Sequence, residues 1–288
     1  MPIRQITIVG TGLIGGSFAL ALRKRKFKGR IVGCDREPAL KQAKTGGVID
    51  DGFVKPAEAV RGSQLVMLAT PVLAIVDLIG QLGPVLPADA LLTDVGSTKT
   101  AVTEQALSVF GRNAGKRFLG GHPMAGKESS GVEFADADLF QNAVWFLTPV
   151  AGQNLQKGLF AEFAGWIDQI GARVAMLPPG EHDRLCAWIS QVPQMISTAL
   201  AAALVEEFGE EAPLLSTGGR ALREMTRIAA SPYSMWRDIA ISNKKNLEDA
   251  LLKVEQRIAH IRENLATRQL AEEFELAHGL KKSAGSGK

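Results

Sequence analysis

The 288-residue sequence is long enough for two domains, and its 46% hydrophobic content supplies an ample core for a globular protein. The net charge is +3 with both signs interspersed, and the basic clusters carry no interleaved aromatic residues, so we expect no nucleic-acid partner. No uninterrupted apolar run reaches the ~18 residues of a membrane span, so we expect no membrane partner. The given sequence enters a predicted strand at once, so we expect no signal peptide. Two cysteines fit a reduced, cytoplasmic setting as packing residues, and no metal site is predicted.

A glycine-rich segment follows the first predicted strand, Ile6–Val9. It reads GTGLIGGS over residues 10–17 and opens an amphipathic helix. Glycines at these spacings allow a tight turn, close approach of the backbone to a ligand, and close packing of helix on strand. The helix N-terminus then offers unpaired N–H groups to phosphates. The segment predicts a dinucleotide site, although an ordinary tight turn is the alternative. The predicted contacts are Gly10, Gly12, Leu13, Ile14 and Gly15.

An acidic residue, Asp35, ends the next predicted strand 20 residues after Gly15. A carboxylate there can accept hydrogen bonds from the ribose hydroxyls of the adenosine, and it would repel a 2′-phosphate. This favours NAD. Arg36 follows directly and could pair with such a phosphate, so NADP stays open; a solvated surface charge is the plainer interpretation of Arg36.

Strand and helix patterns alternate through about residue 175, which predicts an α/β fold with a mainly parallel sheet. We assign residues 1–178 to a Rossmann dinucleotide-binding domain. Further strands are predicted at 65–69, 91–95, 118–120, 143–147 and 173–177, and helices at 13–27, 72–82, 99–110 and 155–170. Ligands bind beyond the carboxyl ends of such strands, and Thr70 and Pro71 lie there as candidate cofactor contacts.

After residue 180 the sequence gives no strand signal, which predicts an all-α domain over residues 179–280 and a disordered tail over 281–288. One long helix is expected over 181–208, kinked at Pro193. Residues 242–265 form an amphipathic pattern with apolar side chains at alternating steps of four and three. That seam suits either an intramolecular core or a subunit interface.

A nicotinamide cofactor would bring hydride transfer, for which the protein must supply a base. His122 follows a predicted strand in the loop GGHPMAG, and imidazole suits proton abstraction near neutral pH. Ser97 could hydrogen-bond a substrate or His122, or it could N-cap the helix 99–110. Glu128 could orient His122 or cap a turn. Arg227 has a fork suited to a carboxylate, although composition alone favours a solvated charge.

Six short motifs together resemble the prephenate and arogenate dehydrogenases of tyrosine biosynthesis. They occur in the family's order up to about residue 265. They are GTGLIGGS, GSTK at 96–99, GHPMAG at 121–126, HDR at 182–184, TRIA at 226–229 and MWRDI at 235–239. The resemblance implies a Rossmann domain followed by a helical dimerisation domain, and hence a homodimer. It also implies NAD(P)-dependent oxidative decarboxylation of prephenate or arogenate.

The resemblance also assigns roles by motif. His122 would be the base with Ser97 assisting, and Arg227 would hold a substrate carboxylate. Trp236 would line the site, and His182 would support a helix start near the cleft. Gln194 stands where many prephenate-using relatives carry His, so the choice between prephenate and arogenate stays open, with prephenate placed first. A β-hydroxyacid dehydrogenase and a non-catalytic NAD sensor are the rival interpretations.

Overall fold

The structure is a computed structural model that describes residues 3–127, 129–210 and 213–285. Its strands in chain order are β1 Gln5–Val9, β2 Arg30–Cys34, β3 Asp51–Phe53, β4 Leu65–Leu68, β5 Leu91–Asp94, β6 Phe118–Pro123, β7 Val144–Thr148 and β8 Arg173–Met176. Among the described residues they form one eight-stranded sheet in the order β3-β2-β1-β4-β5-β6-β7-β8. All neighbours are parallel except β6 and β7, which confirms the predicted mainly parallel α/β fold.

Helices cover both faces of this sheet. They are α1 Leu13–Lys24, α2 Glu37–Thr45, α3 Pro56–Ala59, α4 Val72–Leu82, α5 Thr100–Phe110, α6 Ala114–Arg117 and α7 Gly158–Gln169. Two separate apolar cores result. One packs α1 and α7 on one face, around Phe18 and Trp145. The other packs α4 and α5 on the opposite face, around Leu68 and Phe118. Burial on both sides explains why β4 is a continuous apolar run, and in β5 it also encloses the polar residues Thr93 and Asp94.

Two features of the sheet differ from the sequence prediction. The short strand β3 pairs with β2 through three residues only, too few to give a periodic signal. Strand β6 extends to Pro123, so that His122 lies in a strand and not in a loop. The cause is β7, which pairs antiparallel with β6 and sets His122 opposite Phe146. Antiparallel pairing supplied from later in the chain cannot be read from the glycine-rich sequence of β6 itself.

The second half is helical, as predicted. Its helices are α8 Pro179–Cys186, α9 Val192–Phe208, α10 Leu214–Thr217, α11 Arg220–Thr226, α12 Tyr233–Ser242, α13 Lys244–Glu263 and α14 Arg268–Gly285. A π-helical segment, Ala187–Gln191, joins α8 to α9. It lies just before Pro193, which has no N–H to donate and whose ring crowds the preceding turn. The wider π turn is how this helix accommodates the proline, at the place where a kink is predicted.

The predicted amphipathic helix 242–265 is divided at Asn243, which separates α12 from α13. Near the start of α13, Leu247 is buried, whereas Ile258 is 56% exposed and Leu265, just past the end of the helix, is 64% exposed. The first half of the seam is therefore intramolecular core, and the second half faces outward. Helix α14 continues to Gly285, so its backbone overlaps the first residues of the predicted tail.

The helical segment Pro179–Phe208 also has the length and composition of a membrane span, with a mean hydropathy of 1.2 in its most apolar window. In the described part of the chain it is the one helix that meets this test. The segment contains no uninterrupted apolar run of that length, because Gln191 and Gln194 lie among its apolar residues. A core helix of a soluble protein meets the same test, so the test alone assigns no membrane role.

Candidate active site

The glycine turn between β1 and α1 has the backbone that a dinucleotide needs. Gly10 has φ of 96°, and a Cβ there would lie 2.4 Å from the Ala69 carbonyl oxygen. A Cβ on Gly15 would lie 2.1 Å from the Gly10 oxygen. A Cβ on Gly12, in contrast, would meet nothing within 4 Å. Two glycines are thus required by packing, and the third leaves open backbone that a pyrophosphate can approach.

Other predicted cofactor contacts surround this turn. Leu13 and Ile14 form the first turn of α1 and are partly buried. Thr70 and Pro71 follow β4, and a Cβ on Gly10 would lie 3.0 Å from the Thr70 methyl group, so this strand end adjoins the turn. The buried Thr70 hydroxyl finds no hydrogen-bond partner among the described residues. The turn and the neighbouring strand end therefore enclose one binding edge.

Asp35 lies at the end of β2 beside the same turn. Its Oδ2 accepts hydrogen bonds from Thr11 N at 2.8 Å and from Thr11 Oγ1 at 3.1 Å, and its Oδ1 accepts one from Arg36 N at 2.8 Å. These bonds fix a carboxylate where an adenosine ribose would lie. The Arg36 side chain is exposed. The geometry fits a dinucleotide with an unmodified ribose.

His122 lies near the carboxyl end of β6, and only 8% of its surface is exposed. Its Nδ1 lies 2.9 Å from Nε2 of His182, which belongs to α8 and is fully buried. The two rings meet edge to face, with centroids 5.1 Å apart. Because parallel strands end at the same edge of a sheet, His122 faces the edge that carries the glycine turn.

The acid Asp183 completes this chain of contacts, because its Oδ1 lies 2.9 Å from Nδ1 of His182. Burial alone would raise the pKa of Asp183, but hydrogen bonds from His182, Thr100 and Lys99 lower it below its usual range. The ionised carboxylate therefore accepts the Nδ1 proton of His182. With the Nδ1 proton of His182 directed at Asp183, Nε2 of His182 is placed to accept from Nδ1–H of His122. This hydrogen-bond network assigns a proton-free Nε2 to His122.

The same carboxylate caps α5. Asp183 Oδ1 accepts from Lys99 N at 2.7 Å, and Oδ2 accepts from Thr100 N at 2.8 Å. The interpretation of Ser97 as the N-cap is therefore wrong, since no side chain of the preceding loop caps this helix and the cap comes from α8. Ser97 is partly buried in the segment between β5 and α5, alongside β6.

A buried lysine lies behind His122 and has no role in the sequence prediction. Lys99 is fully buried, pairs with Asp94, and donates from Nζ to the Gly121 carbonyl at 2.8 Å. Burial, the neighbouring His182 and the Lys99 charge together hold the pKa of His122 well below its ordinary value. The sequence signal was available: Lys99 follows Asp94 by five residues, at the junction of a buried strand with a helix.

The remaining predicted residues lie in or near the helical domain. His182 has no exposed surface, so it lies behind His122 and does not contact the cleft as a substrate ligand would. Gln194 is buried, and its Nε2 donates to the Ile228 carbonyl at 2.9 Å, which accounts for its burial without a ligand. Arg227 is exposed and begins the 3₁₀ segment Arg227–Ala230. Trp236 is partly buried on α12, with no described hydrogen-bond partner at its buried Nε1. Glu128 lies outside the described residues.

Comparison with known proteins agrees with this arrangement. The family model described as prephenate dehydrogenase, nucleotide-binding domain, matches residues 18–176, and the one described as prephenate dehydrogenase, dimerization domain, matches residues 178–282. A prephenate dehydrogenase of Lactococcus lactis is 34% identical over 88% of this chain, which spans 72% of that relative. A prephenate dehydrogenase of Bacillus subtilis is 37% identical over 85% of this chain, which spans 65% of it.

A solved structure extends the comparison to three dimensions. It is prephenate dehydrogenase from Aquifex aeolicus in complex with hydroxyphenyl propionate and NAD+. It superposes with a TM-score of 0.84 and 32% identity, covering 99% of this chain and 98% of that one. The two domain models together match most of the chain, and a relative of which the chain spans 72% is 34% identical, so the chain belongs to the prephenate dehydrogenase family.

Proposed function

We propose that this chain catalyses the NAD-dependent oxidative decarboxylation of prephenate to 4-hydroxyphenylpyruvate, a step of tyrosine biosynthesis. The observation that carries the proposal is the chain His122–His182–Asp183, which gives His122 a proton-free Nε2 at the edge of the sheet that holds the glycine turn. A non-catalytic NAD sensor would have no use for a base at this position. A hydroxyacid dehydrogenase of similar architecture would usually depend on a Lys or a hydroxyl of the first long helix after the sheet, and residues 179–208 offer Ser190 but no Lys.

The proposed reaction begins at the substrate hydroxyl on C4. Bound NAD supplies the acceptor for the hydride that leaves C4. Nε2 of His122 accepts the hydroxyl proton as the hydride departs, while Nδ1–H of His122 stays hydrogen-bonded to His182, which Asp183 orients. The ring carboxylate leaves as carbon dioxide, and its bonding electrons move through the ring to the C4 oxygen. His122 then returns the proton to that oxygen, giving the phenol.

Substrate anchoring is the second part of the proposal. Ser97 lies in the segment alongside β6 and assists His122 with a hydroxyl. Arg227 binds a substrate carboxylate with its guanidinium, a pairing that favours bidentate geometry. Gln194 supports this role indirectly, because its bond to the Ile228 carbonyl holds the segment that bears Arg227. Trp236 lines the site, and Glu128, six residues after His122 in the sequence, is a further candidate substrate contact.

We further propose a cytoplasmic homodimer that forms through the helical domain. The family model that matches residues 178–282 is described as a dimerization domain. Only 22% of the most apolar window in the helical segment Pro179–Phe208 is buried within one chain. Phe208, at the end of this segment, is exposed, and so are large apolar side chains on the following helices: Tyr233, Ile241, Leu252, Ile258 and Phe274. A second copy would remove this surface from water.

The test is to assay the purified chain with prephenate and with arogenate, each with NAD and with NADP, by nicotinamide absorbance and release of carbon dioxide. We expect the highest kcat/KM for prephenate with NAD. A clear preference for arogenate would replace prephenate as the substrate and leave the reaction class intact. Absence of turnover with both substrates and both cofactors would contradict the proposal.

A further inference from the structure

Three potential metal ligands converge on one buried point behind the proposed base. They are Nδ1 of His122, Nε2 of His182 and Sγ of Cys186, all buried and within 4.8 Å of one another. The separations are 2.9 Å between the two nitrogens, 3.4 Å from Sγ to His182 and 3.9 Å from Sγ to His122. The sequence predicts no metal site, because His122 and Cys186 are 64 residues apart and belong to different elements.

These separations fit a zinc ion. A point about 2.0 Å from all three atoms lies inside the triangle that they form, and a small step out of its plane brings the distances into the range of about 2.0–2.3 Å of zinc–nitrogen and zinc–sulfur bonds. Two imidazoles and one thiolate form a donor set that suits zinc. His122, at 8% exposure, is the least buried of the three ligands.

The residues around the three ligands supply a carboxylate that orients one imidazole and charges that balance the zinc ion. Asp183 accepts the Nδ1 proton of His182 at 2.9 Å, which is the carboxylate–histidine arrangement that orients metal-bound imidazoles. Carboxylates of Asp94 and Asp183 and a thiolate at Cys186 would together balance the charges of zinc and of buried Lys99. The ligands are therefore held in place before any metal arrives.

We propose that His122, His182 and Cys186 form an inhibitory zinc site in this chain. Zinc at Nδ1 of His122 takes the lone pair of that nitrogen, so the neutral ring must carry its proton on Nε2. The Cys186 thiol loses its proton to solvent as the sulfur–zinc bond forms. With Nε2 protonated, His122 is a donor and no longer accepts the substrate proton. Zinc thus blocks the chemical step from behind the ring, on the side opposite the substrate.

The first arm of the test is binding and does not depend on turnover. We expect cobalt(II), added to the intact chain as a spectroscopic stand-in for zinc, to bind one equivalent per chain with a thiolate-to-cobalt charge-transfer band. Zinc should displace the cobalt and abolish the band. Because the site is buried, both metals should bind slowly. Absence of a thiolate band in the wild-type chain would overturn the proposal, whatever the substrate proves to be.

The second arm is inhibition and rests on the proposed function. Zinc should lower kcat with little change in the KM for prephenate, and a chelator should restore kcat.

Cys186→Ser should lose the cobalt band and require roughly tenfold more zinc for equal fractional inhibition, measured against its own metal-free rate. Cys34→Ser, which removes the other buried thiol, should behave as wild type. Equal zinc sensitivity of Cys186→Ser and wild type would overturn the proposal. If Cys186→Ser does not fold, Cys186→Ala takes its place and the wild-type spectrum still decides.

Discussion

His122 combines burial with two neighbours that disfavour its charged form, and this has consequences for pH dependence. His182 and the Lys99 ammonium both add to the effect of burial, so the pKa of His122 lies well below 6.5. In the unfolded chain the imidazole would titrate near 6.5, so the unfolded state binds more protons below that pH. The stability contributed by neutral His122 is therefore present above about pH 6.5 and is lost as the pH falls toward the folded-state value.

The pH profile of kcat/KM provides the corresponding prediction. Since a base with a depressed pKa stays unprotonated in mildly acidic buffer, the profile should remain flat as the pH falls through 6.5 and decline only well below it. The measurement is kcat/KM for prephenate at saturating NAD across the acidic range. An acid limb with its midpoint at or above 6.5 would contradict this account of the environment of His122.

We expect the carboxylate of Asp35 to determine the preference for NAD over NADP. Asp35→Ser removes the charge that would repel a 2′-phosphate and leaves Arg36 adjacent. We expect the ratio of kcat/KM for NADP to that for NAD to rise by roughly tenfold, about 1.4 kcal/mol. Glu37→Gln removes an exposed charge two residues away and is the matched control. A wild-type chain that already prefers NADP would show that our interpretation of Asp35 is wrong.

At the scale of elements, Asp183 joins the two halves of the molecule. It lies on α8, caps α5 through Lys99 N and Thr100 N, and orients His182. In addition, Asn243 Nδ2, from the residue between α12 and α13, donates to the Asp183 carbonyl at 2.8 Å. One residue therefore sets both the position of α5 and the tautomer of the histidine pair.

Asp183→Asn tests both roles together. An amide keeps the size but replaces one acceptor oxygen with a donor, so that either a cap bond or the bond from His182 is lost. We expect a loss of about 1–3 kcal/mol in the free energy of unfolding, measured by denaturant titration. We also expect a fall in kcat with a much smaller change in KM, since a positioning residue acts on the base. Glu181→Gln, an exposed change on the same helix, should alter neither quantity. A purely structural role for Asp183 would leave kcat of the folded variant unchanged.

The elements show where sequence reasoning succeeds and where it stops. Local patterns sufficed for β4, β5 and α4, because strands buried on both faces and amphipathic helices carry their period in the sequence. Local patterns did not predict the end of β6, which is set by pairing with β7, or the cap of α5, which is supplied by Asp183. Both partners lie far away in the chain. The glycine turn and His122 were predictable from type and position. Lys99 could have been found from its spacing to Asp94, whereas Cys186 and the buried place of His182 behind His122 depend on tertiary packing that no local spacing encodes.

At the scale of the whole molecule, the apolar surface of the helical domain predicts an assembly. The outward half of the α13 seam includes Ile258, which is 56% exposed. Sedimentation of the wild type should give a homodimer, and Ile258→Glu should weaken it by roughly tenfold or more, since a charge placed in an apolar interface is left unpaired. Val85→Glu, at an exposed position of the first domain, is the control and should leave the dimer intact. A wild-type monomer at all accessible concentrations would contradict the proposed interface.

Both domains contribute to the position of the His122 imidazole. The sheet brings the glycine turn and His122 to one edge, and the helical domain supplies the residues that hold His122 from behind. The decisive measurement is the steady-state kinetics of His122→Asn with prephenate and NAD, with the exposed His278→Asn as control. We predict that kcat falls by roughly 10²–10⁴ while the KM for prephenate changes little, and that His278→Asn matches the wild type. A folded His122→Asn enzyme with the wild-type kcat would contradict the assignment of His122 as the base.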